Sequence, residues 1–110
     1  MATADLDLLQ GTLDLLILKT LAWAPRHGYA VAQWIRETTD DDLQIEEGAL
    51  YTALHRMEKR GWLDAEWGLS DNNRKAKYYA LTALGRKQMR AKSALWTRYA
   101  QAVFKILQTV

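Results

Sequence analysis

One change of hydrophobic period limits what this chain can fold into. Before Gly61 the apolar residues recur at helical spacing, and after it they alternate. Leu63, Ala65 and Trp67 interleave with Trp62, Asp64 and Glu66, the period-two pattern of a strand. Gly68 to Ala76 (GLSDNNRKA) has the Asn, Asp and Ser content of a turn, and Lys77-Tyr78-Tyr79-Ala80-Leu81 is a second β-favouring run. Two strands joined by such a loop predict a hairpin. Helical patterns flank it on both sides, so the expected class is mainly α with a two-stranded β-hairpin.

Three helices are predicted ahead of the hairpin. The first, Leu8 to Trp23, ends at Ala24-Pro25, because the residue before proline is pushed out of helical geometry. Its apolar positions, among them Leu8, Leu13, Leu15, Leu16, Ile17 and Leu21, cover more than one face. A surface helix needs only a stripe. A 110-residue chain holds one core, so the excess favours burial against a second subunit. Asp14 interrupts this run, either as a solvated carboxylate at the helix edge or as a polar group lining an apolar interface cavity. Arg26-His27-Gly28-Tyr29 is read as a turn into a second helix, Tyr29 to about Thr38. Asp40-Asp41-Asp42 lacks the further ligands and the glycine of a calcium loop and is read as a solvated loop.

The third helix, Glu46 to Arg60, is stopped by Gly61. Leu50, Leu54 and Met57 form its core stripe. The opposite side carries Gly48, Thr52, His55, Arg56 and Lys59. At about 1.5 Å per residue this helix can lie across a DNA major groove.

Thr82 is placed to cap the last helix, Ala83 to about Gln108. Met89, Trp96, Tyr99, Val103, Ile106 and Val110 follow a heptad series, with Lys92 at its polar position. A second apolar line (Leu84, Ala91, Leu95, Ala102, Leu107) runs beside it, and the helix is longer than a domain this small needs. It is read as a dimerisation helix. Residues 1–82 are therefore expected to form one unit with the dimerisation helix 83–110 attached.

Composition removes several function classes. Hydrophobic residues are 49% and charged residues 25%, so the chain can bury a core and is not of the disordered class. With no cysteine there is no disulfide framework or thiolate metal site. The apolar run of the first helix is too short and too charged to span a membrane, and the acidic start MATADLD is unlike a secretory signal, so a cytoplasmic protein is expected. No nucleophile stands beside a base motif, no glycine-rich phosphate loop is present, and His27 and His55 are the only histidines. The expectation is no enzyme, no cofactor and no metal. Charge is unevenly placed: residues 1–60 carry six Lys/Arg against ten Asp/Glu, residues 61–110 nine against three. That asymmetry hints at a polyanionic partner.

Helix, helix, helix, hairpin, helix is the winged helix-turn-helix order. Along about Leu8 to Leu107 the chain resembles the PadR-like family of transcriptional regulators. The residues that carry the resemblance are Leu9-Gln10-Gly11-Thr12-Leu13, His27-Gly28-Tyr29, Glu47-Gly48-Ala49-Leu50-Tyr51, Leu54-His55-Arg56-Met57-Glu58, Gly61-Trp62-Leu63 and Lys77-Tyr78-Tyr79-Ala80-Leu81-Thr82 with Gly85. The single helix after the hairpin is similar to the compact branch of that family. The resemblance implies a homodimeric DNA-binding regulator, usually a repressor. Residues 46–60 would be the recognition helix and Gly68 to Ala76 the wing, and the last helix would pair with the first helix of the other subunit. It also implies that some members answer to small aromatic or drug-like ligands, with Trp96 at the place of an aromatic that lines a dimer-interface cavity. Ala49 stands where members often have Ser or Thr, and Thr52 where many have Pro.

Within that frame, double-stranded DNA bearing a pseudo-palindromic operator is the expected partner. Arg56 is the expected guanine reader, by the fork geometry of its guanidinium, and Lys59 a phosphate contact. Thr52 can offer a hydroxyl, and His55 is either a base contact or a surface polar group. Tyr29 and Tyr51 can pack a ring while a hydroxyl reaches phosphate. Arg74, Lys75 and Lys77 suit phosphate better than base edges. A planar aromatic effector would stack on Trp96 with Tyr99, Met89 and Asp14 nearby, and an aromatic wall with one carboxylate would suit a flat cationic or hydrogen-bonding compound. The homodimer interface is expected from Leu8, Leu15, Leu16, Trp96, Tyr99, Val103 and Ile106. The rival reading is a dimeric scaffold without specific DNA binding, which has no need of a basic wing.

Overall fold

A computed structural model describes residues 10–110, so the interface expectation at Leu8 falls outside the described residues. In chain order the elements are α1 (Gln10–Leu21), β1 (Arg26–His27), α2 (Gly28–Thr38), α3 (Glu47–Lys59), β2 (Leu63–Leu69), β3 (Lys75–Leu81) and α4 (Ala83–Leu107). The sheet has three strands in the order β1-β3-β2, one more than the hairpin expected. The extra strand is the stretch read as a turn. Arg26 pairs with Tyr79 and His27 with Tyr78, so the segment after Pro25 runs extended along β3 before α2 begins. Two residues are too short for a periodicity signal.

The core lies where α1, α2, α3 and the base of the hairpin converge. Ile17, Leu18 and Leu21 come from α1, Val31 and Ile35 from α2, and Leu50, Ala53, Leu54 and Met57 from α3. Trp62, Leu63 and Tyr79 close the hairpin side. On α1 the second apolar face is not idle, because Leu13 and Leu16 also pack against this core. Leu15 lies instead in the open groove along α4.

Four of the helix ends have a clear local cause. The His27 ring accepts a hydrogen bond from the Ala30 N–H through Nδ1 (3.2 Å) and caps α2. The Glu46 carboxylate accepts from the Gly48 and Ala49 N–H groups at 2.9 Å each and caps α3. These bonds stabilise its charged form and lower its pKa below the usual 4.5. At the other end of α3, Gly61 takes φ +80°, its N–H donating to Glu58 O and that of Trp62 to Met57 O, both at 3.0 Å. That is a Schellman stop, which favours glycine at the left-handed residue. Thr82 caps α4 by accepting from the Gly85 N–H (3.0 Å). A Cβ at Gly85 would sit 2.1 Å from the Trp62 carbonyl oxygen, so only glycine lets α4 start this close to the hairpin.

Candidate nucleic-acid interface

The core stripe of α3 turns one face outward. Gly48, Thr52, His55 and Lys59 are all exposed, at steps of four, three and four residues, which is one line along a helix. Its first turn is fixed by the Glu46 cap and its last by Gly61, so the line is presented by a rigid element. Tyr51, at the edge of this face, is 42% exposed. Its ring lies against Gly28, where a Cβ would come within 2.6 Å of Tyr51 Cε1. The His27-Gly28-Tyr29 stretch therefore does two things: His27 caps α2 and Gly28 leaves room for the Tyr51 ring. Tyr29 stands exposed beside them.

Arg56 departs from the expectation. Its guanidinium is ion-paired with the Asp14 carboxylate of α1, and only 37% of its side chain is exposed, against 13% for Asp14. It points along the side of α3 that meets α1 rather than with Thr52 and His55, so in this structure it ties two helices together. The same contact shows that Asp14 is a paired, largely buried carboxylate rather than a solvated one, and within this chain it does not line the groove at Trp96.

Lys77 is likewise committed. Its Nζ donates to Glu58 Oε1 of α3 at 3.0 Å, joining the hairpin to that helix. The Glu58 hydrogen bond raises the Lys77 pKa above 10.5. Arg74 and Lys75 are exposed. The strands run further than the sequence pattern indicated, and the loop is correspondingly shorter, with the Ser70 N–H donating to Arg74 O (2.8 Å) and Asn73 at φ 60°. Asn tolerates that left-handed conformation, which closes a tight loop. Between the hairpin and the starts of α2 and α3 lies a cleft of about 700 Å³, lined by Tyr29, Tyr51, Trp67, Arg74, Lys75 and Lys77 among others.

The expected effector cluster is divided. Trp96 and Tyr99 line a groove of about 760 Å³ along α4, together with Leu15, Lys92, Leu95 and Arg98. The Trp96 Nε1–H donates to Thr12 Oγ1 of the same chain at 3.0 Å. Met89 instead packs against the core and borders a different depression, with Lys19 and Arg90. Of the interface expectations, Leu15, Leu16 and Val103 are half-buried, Trp96 is 41% exposed, Tyr99 68% and Ile106 72%. Sequence reasoning passed over Trp67, placed only in the alternating strand run and 60% exposed in the structure, and the packing role of Gly28. The strand length held the missing signal, since an inner-face residue four positions beyond Leu63 outruns a core this small.

A recognition-type helix with a small and polar outer line, beside a hairpin with cations at its tip, is the arrangement by which winged helices engage duplex DNA. The sequence profile described as the Transcriptional regulator PadR-like family matches residues 17–91. The chain belongs to that family. Similar structures include a transcriptional regulator from Clostridium thermocellum, at 29% identity and TM-score 0.83, covering 93% of this chain and 99% of that one. A PadR family transcriptional regulator from Eggerthella lenta is 32% identical with a TM-score of 0.78, over 98% of this chain and 92% of its own. An uncharacterised protein of Lysinibacillus sphaericus is 31% identical over 88% of this chain and 89% of its length. The PadR-like family is one of transcriptional regulators rather than enzymes, and a winged-helix, DNA-binding regulator is what its fold describes. Among the described residues no helix is long and apolar enough to cross a membrane.

Proposed function

We propose that this PadR-like protein is a homodimeric repressor acting in the cytoplasm on a pseudo-palindromic operator, and that a small planar aromatic compound releases it. The observation that carries the DNA reading is the exposed line Gly48, Thr52, His55 and Lys59 on a helix held at both ends. Two copies of α3 enter successive major grooves about one DNA turn apart, roughly 34 Å. Thr52 and His55 face base edges. Lys59, Arg74 and Lys75 neutralise phosphates, with Tyr29 and Tyr51 at the backbone. Lys77 adds positive potential while it holds Glu58. Arg56 acts by fixing α3 on α1 rather than by reading guanine.

Residues 83–110 supply the dimer. Support comes from the far half of α4, where Tyr99, Phe104, Ile106 and Leu107 are all more than half exposed. Apolar rows on a surface helix favour association with a second chain. The groove at Trp96 is bordered by Lys92 and Arg98, with Asp14 engaged elsewhere. With two cations and no carboxylate among the described residues of that lining, a neutral or anionic flat aromatic suits it better than the cationic compound expected from the sequence. Ligand binding shifts the population of dimer shapes and so the spacing of the two α3 helices.

Selecting genomic fragments with the purified protein, then measuring affinity at two salt concentrations, tests the DNA reading. An enriched palindrome, with binding that weakens steeply as salt rises, is expected. No association even at low salt would leave the dimeric scaffold as the better account. For the effector, planar anionic dyes should quench tryptophan fluorescence, and Trp96→Ala should abolish the response. A response equal in wild type and Trp96→Ala would remove that site.

A further inference from the structure

The two faces of the hairpin have different fates along their length. Leu63 pairs with Leu81, Ala65 with Tyr79, Trp67 with Lys77 and Leu69 with Lys75, so these eight side chains share one face. At the base that face is core, with Leu63 and Tyr79 buried. Two residues further out the core has ended. Trp67 is 60% and Leu69 65% exposed, on the face that looks into the cleft beside α2 and α3. An indole left this open forgoes the burial that aromatic side chains normally obtain. Lys75 Nζ lies over it, 5.3 Å from the centre of its ring.

We infer that Trp67 is a DNA-contact residue, its indole seating a deoxyribose of the backbone strand that lies in the cleft between the hairpin and the first turns of α2 and α3. The inference rests on the DNA-binding reading and adds an apolar contact to it. A duplex keeps its bases stacked and presents sugars and phosphates outward, so an apolar plate with a cation stacked on it, in a cleft that holds Arg74 as well as Asp71, matches a sugar beside a phosphate. Lys75, stacked on one face of the indole, is placed for the adjoining phosphate, and Arg74 for the next. A protein partner would need anionic groups to meet these same cations, whereas DNA supplies anion and apolar sugar at one repeat.

The two contributions separate by salt. A phosphate contact releases counterions and steepens the salt dependence, whereas an apolar contact to sugar does not. Binding of a labelled operator duplex and a labelled random duplex is measured across about 50 to 200 mM salt for wild type, Trp67→Ala, Trp67→Phe and Lys75→Ala. Trp67→Ala should weaken both duplexes by roughly tenfold, the scale of one buried aromatic face, with the salt slope unchanged. Trp67→Phe should recover most of that loss. Lys75→Ala should lower the slope by about 0.9. Thermal melting should be unchanged in all three, because the residues stand outside the core. Wild-type affinity in Trp67→Ala, while wild type binds DNA normally, would overturn this inference alone. A reduced slope in Trp67→Ala would overturn it too, since the indole would then act only by holding Lys75. Absence of DNA binding by wild type at low salt would remove the DNA reading and this inference together.

Discussion

α3 and the tip of the hairpin both present exposed polar and cationic side chains, on very different supports. α3 has its inner stripe fully buried, a carboxylate cap at its start, a glycine stop at its end, and ion pairs to α1 through Arg56–Asp14 and to β3 through Glu58–Lys77. The wing tip beyond Trp67 and Lys77 is held by its ladder, a short loop and the Tyr78 hydroxyl donating to Leu69 O (2.8 Å). Reading bases demands a fixed register, because hydrogen-bond geometry at a base edge tolerates little displacement. Gripping a backbone demands reach and charge. Two of the cations expected to touch DNA, Arg56 and Lys77, are ion-paired in the bracing of α3.

Substitutions that test this contrast should fall in a definite order. Leu54→Ala, in the buried stripe of α3, should cost about 2–5 kcal/mol and in a chain this small put folding itself at risk, read by thermal or urea unfolding. Arg56→Ala should cost about 1–2 kcal/mol, less than a fully buried pair because the guanidinium is partly solvated, and lower Tm by several degrees. Operator and random DNA should then weaken alike. A selective loss on the operator with unchanged Tm would return Arg56 to base reading and weaken the contrast. Lys75→Ala should leave stability within about 0.5 kcal/mol of wild type while reducing the salt slope, the signature of a tip that grips without bracing.

The smallest effect is a pH effect at the start of α3. Glu46 has its folded pKa held below 4.5 by the Gly48 and Ala49 amides, so the stabilisation it gives is complete above the ordinary carboxylate value. It is lost as pH falls through that value and then through the lowered one. The amide resonances of Gly48 and Ala49 should shift across that acidic window in wild type and stay flat in Glu46→Gln. Lys77 runs the other way: its pKa is raised, so its contribution is complete below 10.5 and lost as pH climbs through the folded value.

Much of the fold could be read from the residues because its signals are local. The stripe Leu50, Leu54 and Met57, the stop at Gly61, the alternation from Leu63 and the cap at Thr82 all stand in the structure. Three features were not legible, each for a physical reason. β1 has two residues and pairs with residues more than fifty positions away, so no local pattern announces it. The Arg56–Asp14 pair joins residues 42 apart, and an arginine beside His55 on a helix looks exposed until the neighbouring helix is in place. Trp67 obeys the inner-face alternation yet lies beyond the core, a matter of how far the hairpin projects.

The most direct test of the account exchanges the two regions as targets of one assay. Affinity for the selected operator and for random duplex is measured for Thr52→Ala/His55→Ala and for Arg74→Ala/Lys75→Ala, over a series of salt concentrations. The α3 pair should lose affinity for the operator alone and keep its salt slope, while the wing pair should lose affinity for both duplexes and show a slope lower by about 1.8, two phosphates at about 0.9 each. Equal losses on both duplexes for the α3 pair, or operator-specific losses for the wing pair, would contradict the assignment of base reading to the braced helix.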